Sequence, residues 1–191
     1  SSAASDVYKR QVAEAKPRYI WIDAAANFPD YANSKENIAK DMEKIKAAGF
    51  TDIIVDVRPT TGDVLFNTNV VDQVKRMDVW GNSGYSYYER TETWDYLQAF
   101  IEEARIQGLK VNASINTFVG GYLCPYNLGH DGVLFRDESK KGWASVANLA
   151  DGLTNTMDLL DDETDYGAKF FNPANDDVQN FVLQLLADLA K

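Results

Sequence analysis

The sequence predicts an α/β protein, a partial (β/α)8 barrel covering roughly the first three βα units, with long βα loops. Three observations carry that expectation. Strand and helix signals alternate in the order strand, helix, strand, helix, strand, which calls for parallel pairing through right-handed crossovers. Each of the three strands has one wholly aliphatic face and one face that turns polar toward its C-terminal end. The segments after the second and third strands are long, and the later one, residues 117 to 169, is rich in Gly, Asp and Asn. A connection of that length inside a compact domain points to a binding excursion or a small insertion.

The elements follow from local chemistry. Tyr19 to Asp23 is a short β-rich run. Asn33-Ser34 supplies a helix N-cap with Glu36 in the first turn, Ile38, Met42 and Ile45 carry helical spacing, and Gly49 supplies the stop. Phe50 to Val57 is the second strand, halted by Arg58-Pro59, and an irregular segment runs from Thr60 to about Thr91. Thr93 is positioned to cap a helix through Gln107, with Leu97, Phe100, Ile101 and Ala104 on its apolar side and Gly108 at its end. Leu109 to Ile115 is the third strand. After the long connection, Ala168 to Phe171 is extended and Asn172-Pro173 breaks it. Asn175 then caps a helix whose buried side is Val178, Phe181, Val182, Leu185, Leu186 and Leu189.

Strand side chains alternate, so parity separates the two faces of each strand. Ile20 and Ile22 oppose Tyr19, Trp21 and Asp23; Ile53, Val55 and Val57 oppose Ile54, Asp56 and Arg58; Val111, Ala113 and Ile115 oppose Asn112, Ser114 and Asn116. A parallel sheet covered by helices on both faces reads apolar on both parities. The asymmetry instead suits a barrel whose aliphatic face meets the helices and whose other face lines the interior and its mouth.

Composition removes several classes of function. Against 29 Asp+Glu there are 19 Lys+Arg, a net charge of −10 with no basic cluster, so nucleic acid is not an expected partner. No apolar run approaches the roughly 18 residues of a membrane-spanning helix. The single cysteine, Cys124, reads as a small buried hydrophobe, and the single histidine, His130, has no second His or Cys near it for a metal site. The acidic run Asp158 to Asp165 reads as a solvated face. Residues 1–11 show no period or cap, and DVYKRQ (Asp6 to Gln11) reads as the translation of a transposon sequencing adaptor. The native part is therefore expected over residues 12–191, cut short at its C-terminal end.

Candidate site residues cluster at the expected barrel mouth. Asp56 and Arg58 lie two apart on one strand face, as a structural ion pair or as a carboxylate orienting an arginine toward a sugar. Asn116, at the end of the third strand, offers two donors and an acceptor to a hydroxyl. Trp80, Tyr85, Tyr87 and Tyr88, among glycines, suit stacking on sugar rings. This last group also supports a different class of function, a carbohydrate-binding protein that recognises glycan without cleaving it.

The strings RPTTGDVLF (Arg58 to Phe66), NASINTF (Asn112 to Phe118) and FNPANDDVQNFVLQLLADLAK (Phe171 to Lys191) resemble, in order and spacing, the glycosyl hydrolase-like family 10 domain. That resemblance implies a (β/α)8 barrel of bacterial cell-envelope or secreted carbohydrate-active proteins, hydrolysing glycosidic bonds of a poly- or oligosaccharide, cell-wall glycan among them. It implies no cofactor and no metal. It also implies that the main catalytic acids lie on a fourth strand beyond Lys191, so the catalytic pair is unassigned and the segment itself is expected to be inactive. Asp23, Asp56, Arg58, Asp63, Asn116 and Asn172 are then the residues expected to contact or support the carbohydrate substrate.

Overall fold

The computed structural model describes residues 16–81, 84–123, 130–159 and 167–191. The adaptor-like segment 1–11, Cys124 and most of the acidic run Asp158 to Asp165 lie outside the described residues, as do the side chains of Trp80, Tyr85 and His130.

Three strands form the central parallel sheet: β1 (Tyr19–Ile22), β2 (Asp52–Arg58) and β5 (Lys110–Ile115), in the order β1-β2-β5. The register pairs Tyr19 with Asp52 and Asp52 with Lys110, so all three strands begin level. Helix α2 (Lys35–Ala47), after the short α1 (Phe28–Tyr31), connects β1 to β2, and α3 (Tyr96–Ile106) precedes β5. Ser34 caps α2 by accepting the Asn37 N–H at 3.2 Å, and Gly49 ends it at φ +85°. Asp95, rather than Thr93, caps α3: its carboxylate accepts the Gln98 N–H at 2.9 Å and, through its other oxygen, the Asn67 N–H at 2.9 Å. The cap sits two residues later than the sequence predicts because Asp95 also anchors the loop after β2, and Tyr96 is thereby buried in the first helical turn.

The core joins the aliphatic rows of the sheet to these helices. Ile53, Val55 and Val57 are fully buried together with Ile38 and Met42 of α2 and Phe100 and Ala104 of α3. The short α4 (Val133–Arg136) contributes Leu134. Helix α5 (Asp176–Leu189), capped by Asn175 through the N–H groups of Asp177 and Val178, adds Val178, Phe181, Val182 and Leu185. Ile101 and Leu186, expected on buried sides, are instead partly exposed, at 36% and 40%.

The barrel is not what the chain forms. Among the described residues, parallel strand pairing stops at three strands, and beyond β5 the strands pair antiparallel, with no further run of βα units. Strand β6 (Val119–Leu123) lies between β10 (Ala168–Phe170) and β7 (His130–Asp131), and β8 (Val146–Leu149) pairs with β9 (Gly152–Asn155). The segment expected to be irregular contains another hairpin, β3 (Arg76–Gly81) with β4 (Gly84–Glu89), in keeping with its Trp, Val and Tyr residues. The result is a small mixed α/β domain. Two-faced strands marked one covered and one uncovered side, a condition that an open three-stranded sheet meets as well as a barrel does. Among the described residues no helix is long and apolar enough to cross a membrane.

The two halves meet where backbones cross closely. Gly62, in the loop after β2, has φ +80° and lies against Gly120 and Gly121 of β6. Gly132 has φ +94°, and a Cβ there would collide with the backbone of Gly121, Gly120 and Thr61, the last at 2.7 Å. Only glycine combines that backbone angle with that clearance. Gly132→Ala is expected to destabilise the domain by about 2 to 4 kcal/mol through strain and backbone displacement, read as a lower urea midpoint. An unchanged midpoint would mean the crossing is not close.

Candidate functional site

Asp23, Arg58 and Asn116 follow or end β1, β2 and β5, so the parallel sheet gathers them on one rim, and the Asn116 N–H donates to the Arg58 carbonyl at 3.1 Å. Their side chains do different work. Between Asp56 and Arg58 the register against β5 shifts: Asp56 pairs with Ser114 and Arg58 already with Ile115, leaving Val57 as an extra residue. Such a bulge re-aims the side chain beyond it. Arg58 is 0% exposed, and its guanidinium donates to the backbone carbonyls of Asn116, Thr117 and Val119 while lying 6.0 Å from the centroid of the Phe171 ring. Burial pulls its pKa down to about 10. The ion pair expected with Asp56 is not formed: Asp56 accepts the Arg58 backbone N–H at 3.3 Å instead, because the bulge has carried the guanidinium out of reach.

Asp56 remains on the uncovered face of the sheet. Residues level with one another on that face form two rows, Trp21, Ile54 and Asn112, then Asp56 and Ser114 with Asp23 continuing the β1 register. Trp21 is 53% exposed and Tyr19 50%. Burial pushes the Asp56 carboxyl up to about 6, and the charge of Asp23 adds to that, opposed by the N–H groups of Arg58 and Ala24. Asp23 is held by its own turn, its Oδ1 accepting the N–H groups of Ala25 at 2.9 Å and Ala26 at 2.7 Å. Tyr96 is buried near both carboxylates, its hydroxyl without a hydrogen-bond partner among the described residues and its pKa raised by burial.

The other expected residues make structural contacts. Asp63 is buried and held by both terminal nitrogens of Arg136, at 2.8 Å for Nη1, and Arg136 also reaches Asp72 at 3.4 Å. Burial raises the Asp63 pKa and Arg136 opposes that rise. Asn116 gives its backbone to Arg58. Asn172 accepts the Ala174 N–H at 3.0 Å and donates its own N–H to the Trp143 carbonyl at 2.7 Å, shaping the turn before α5. Sequence reasoning missed Arg136, 73 positions from its partner and without any local signal. It also passed over Trp21, although parity had already set it on the same face as Asp23.

No protein-family model matches the chain. An S-layer-related protein of Niallia circulans is 27% identical to it over 178 residues, which take in 89% of this chain and 10% of that protein. The chain thus spans about a tenth of the length of this curated relative.

Two outcomes are expected at the rim. Replacing Arg58 by Met leaves three carbonyls without their donor and should cost at least about 3 kcal/mol in urea unfolding; a loss under about 1 kcal/mol would show that the guanidinium is not a strut. The native Asp56 carboxyl binds its proton more tightly than the unfolded one, since about 6 lies above the ordinary 3.8. Its ionisation therefore removes stability as pH rises from roughly 4 to 6. Asp56→Asn should raise the thermal midpoint at pH 7 and leave it unchanged at pH 4. Equal effects at both pH values would mean that the charge is not the cause.

Proposed function

We propose that this chain carries a glycan-cleaving site of the bacterial cell envelope, on the uncovered face of the parallel sheet. The observation that carries the reading is one row of that face, Asp23 beside Asp56, with the exposed Trp21 one step along β1. Neighbouring strands lie about 4.8 Å apart, and cleavage of a glycosidic bond uses two carboxyl groups separated by about 5 to 9.5 Å. Asp56, with its raised pKa, suits the group that keeps a proton for the leaving oxygen, and Asp23 supplies the second carboxyl group. Trp21 and Tyr19 offer flat apolar surface to the C–H faces of sugar rings, while Asn112 and Ser114 offer polar contacts to hydroxyls. The resemblance to glycosyl hydrolase-like family 10 bears on the substrate class alone, since it implies catalytic acids beyond Lys191 and this reading instead assigns them to Asp23 and Asp56; the S-layer-related relative supports the location at the cell surface.

A binding-only reading draws on the β3–β4 hairpin, where Tyr87 and Tyr88 are both exposed and point to opposite faces. The Tyr87 hydroxyl donates to Glu89 at 2.5 Å, so its ring is held in place. The test is release of reducing ends from purified cell-wall glycan by the chain. Turnover is expected to fall as pH rises past about 6, and Asp56→Asn to lower it at least a hundredfold, roughly 2.7 kcal/mol, with glycan binding retained. Binding without release of ends, weakened by replacing Tyr87 and Tyr88 with Ala, would support the binding-only reading. Absence of both would overturn the two together.

A further inference from the structure

The hydroxyl of Tyr96 is a buried donor that the cleavage reading leaves unused. Tyr96 is 0% exposed, and its oxygen has no hydrogen-bond partner among the described residues. A buried polar group in that state costs about 1 to 3 kcal/mol, so its retention calls for a reason. The ring is fixed in place. It lies parallel to Trp94, with an interplanar angle of 4° and 6.4 Å between centroids, and packs on Phe100 at 5.0 Å.

The fold brings this hydroxyl to the rim that holds the carboxyl pair. Helix α3 feeds β5, which begins level with β2, so the first turn of α3 stands at the C-terminal end of the sheet. Leu65 ties the two elements together, donating its N–H to the Val57 carbonyl at 2.8 Å and accepting the Leu97 N–H at 3.1 Å. Side chains of a helix lean toward its N-terminus, which carries Tyr96 toward the rim. The charges of Asp56 and Asp23 both act on it there.

The guanidinium and phenol groups around Tyr96 are committed elsewhere. Arg58 gives its guanidinium to three carbonyls, Arg90 donates to the carbonyls of Ala32, at 3.2 Å, and Trp94, and the Tyr31 hydroxyl donates to Asp41 at 2.9 Å. Asp56 accepts the backbone N–H groups of Arg58 and Ala24 and no other donor among the described residues, fewer than a carboxylate can take. When Asp56 delivers its proton to the leaving oxygen, it becomes a carboxylate short of donors beside a second carboxyl group. Tyr96 keeps its own proton, because burial first, then Tyr31, Asp56 and Asp23, raise its pKa against the opposing charge of Arg90. We propose that Tyr96 is a positioning residue of the sheet-face site, its hydroxyl donating to the Asp56 carboxylate once that group is ionised. Its role in turnover rests on the reading of Asp56 as proton donor, while the contact itself forms whenever Asp56 ionises.

The test is an NMR titration of the Asp56 carboxyl carbon in the isotope-labelled chain, its signal identified by its loss in Asp56→Asn. Tyr96→Phe should raise the Asp56 midpoint by at least about one pH unit, a tenfold change in proton affinity, because the carboxylate loses its donor. Tyr31→Phe removes a hydroxyl already held by Asp41 and should leave that midpoint in place. Since Tyr96→Phe deletes an oxygen without a partner, its thermal midpoint should match or exceed the parent's at pH 4. At pH 7 it should fall below the parent's, because a native pKa raised further above the ordinary 3.8 makes ionisation cost more stability as pH rises. An unmoved Asp56 midpoint in Tyr96→Phe, an equal rise in Tyr31→Phe, or a stability loss already complete at pH 4 would overturn the proposal. So would a rise in Ser114→Ala alone, which would assign the donor to β5. With glycan as substrate, Tyr96→Phe should turn over at least tenfold more slowly at unchanged KM, its fall at high pH moving up with the Asp56 midpoint. Slower turnover with an unmoved pH profile would mark a merely structural role and overturn the proposal. A raised Asp56 midpoint in a chain that cleaves no glycan would support the contact and overturn the cleavage reading alone.

Discussion

A fully buried arginine joins the two halves of this domain. Burying a cation is costly unless its donors are matched, and Arg58 meets most of that need without any carboxylate: three carbonyl contacts, at Asn116, Thr117 and Val119, hold the guanidinium against the Phe171 ring, leaving Nε without a partner among the described residues. Those carbonyls belong to the turn between β5 and β6 and to the first residue of β6, where the parallel sheet gives way to the antiparallel one. Phe171 donates its own N–H to the Phe118 carbonyl at 2.7 Å and stands just before the turn that starts α5. One side chain from β2 therefore sets the positions of the β5–β6 turn and, through Phe171, the entry of the last helix. Pro59, the next residue, fixes the direction in which the chain leaves the strand.

What the rim offers to a ligand depends on that assignment. With the guanidinium committed to carbonyls, the carboxyl groups of Asp23 and Asp56 have no ion-pair partner among the described residues. The bulge at Val57 produces both results at once, turning Arg58 inward while Asp56 stays on the open face. A carboxyl held above its ordinary pKa beside a second carboxylate is a destabilising arrangement for a folded protein, and proteins keep such arrangements mainly where chemistry uses them.

Local chemistry made much of this legible in advance. Ser34 and Asn175 cap their helices as their side chains suggest, Gly49 and Gly108 end theirs at positive φ, and the three aliphatic strand rows, the exposed Ala113 excepted, lie in or against the core. Parity also placed Trp21, Asp23 and Asp56 on one face. The misreadings share a cause, in that they concern pairings between distant segments. Asp63 finds Arg136 across 73 positions, β6 pairs with β10 across more than forty, and the Val57 bulge shows only once β5 lies alongside. The barrel was inferred from a two-faced sheet, and that pattern reports how many sides are covered rather than how many strands there are.

The sheet face disfavours anions, and the reason is local rather than global. A net charge of −10 repels anions, but screening limits that repulsion to about 8 Å at physiological salt, so it cannot select among ligands already at the surface. Selection comes from the groups within reach, Asp23 and Asp56, with the guanidinium of Arg58 engaged by carbonyls. A polyanion would lose hydration there and meet two carboxyl groups. Under the proposed reading, a neutral glycan gives up weaker hydration and gains aromatic contact at Trp21.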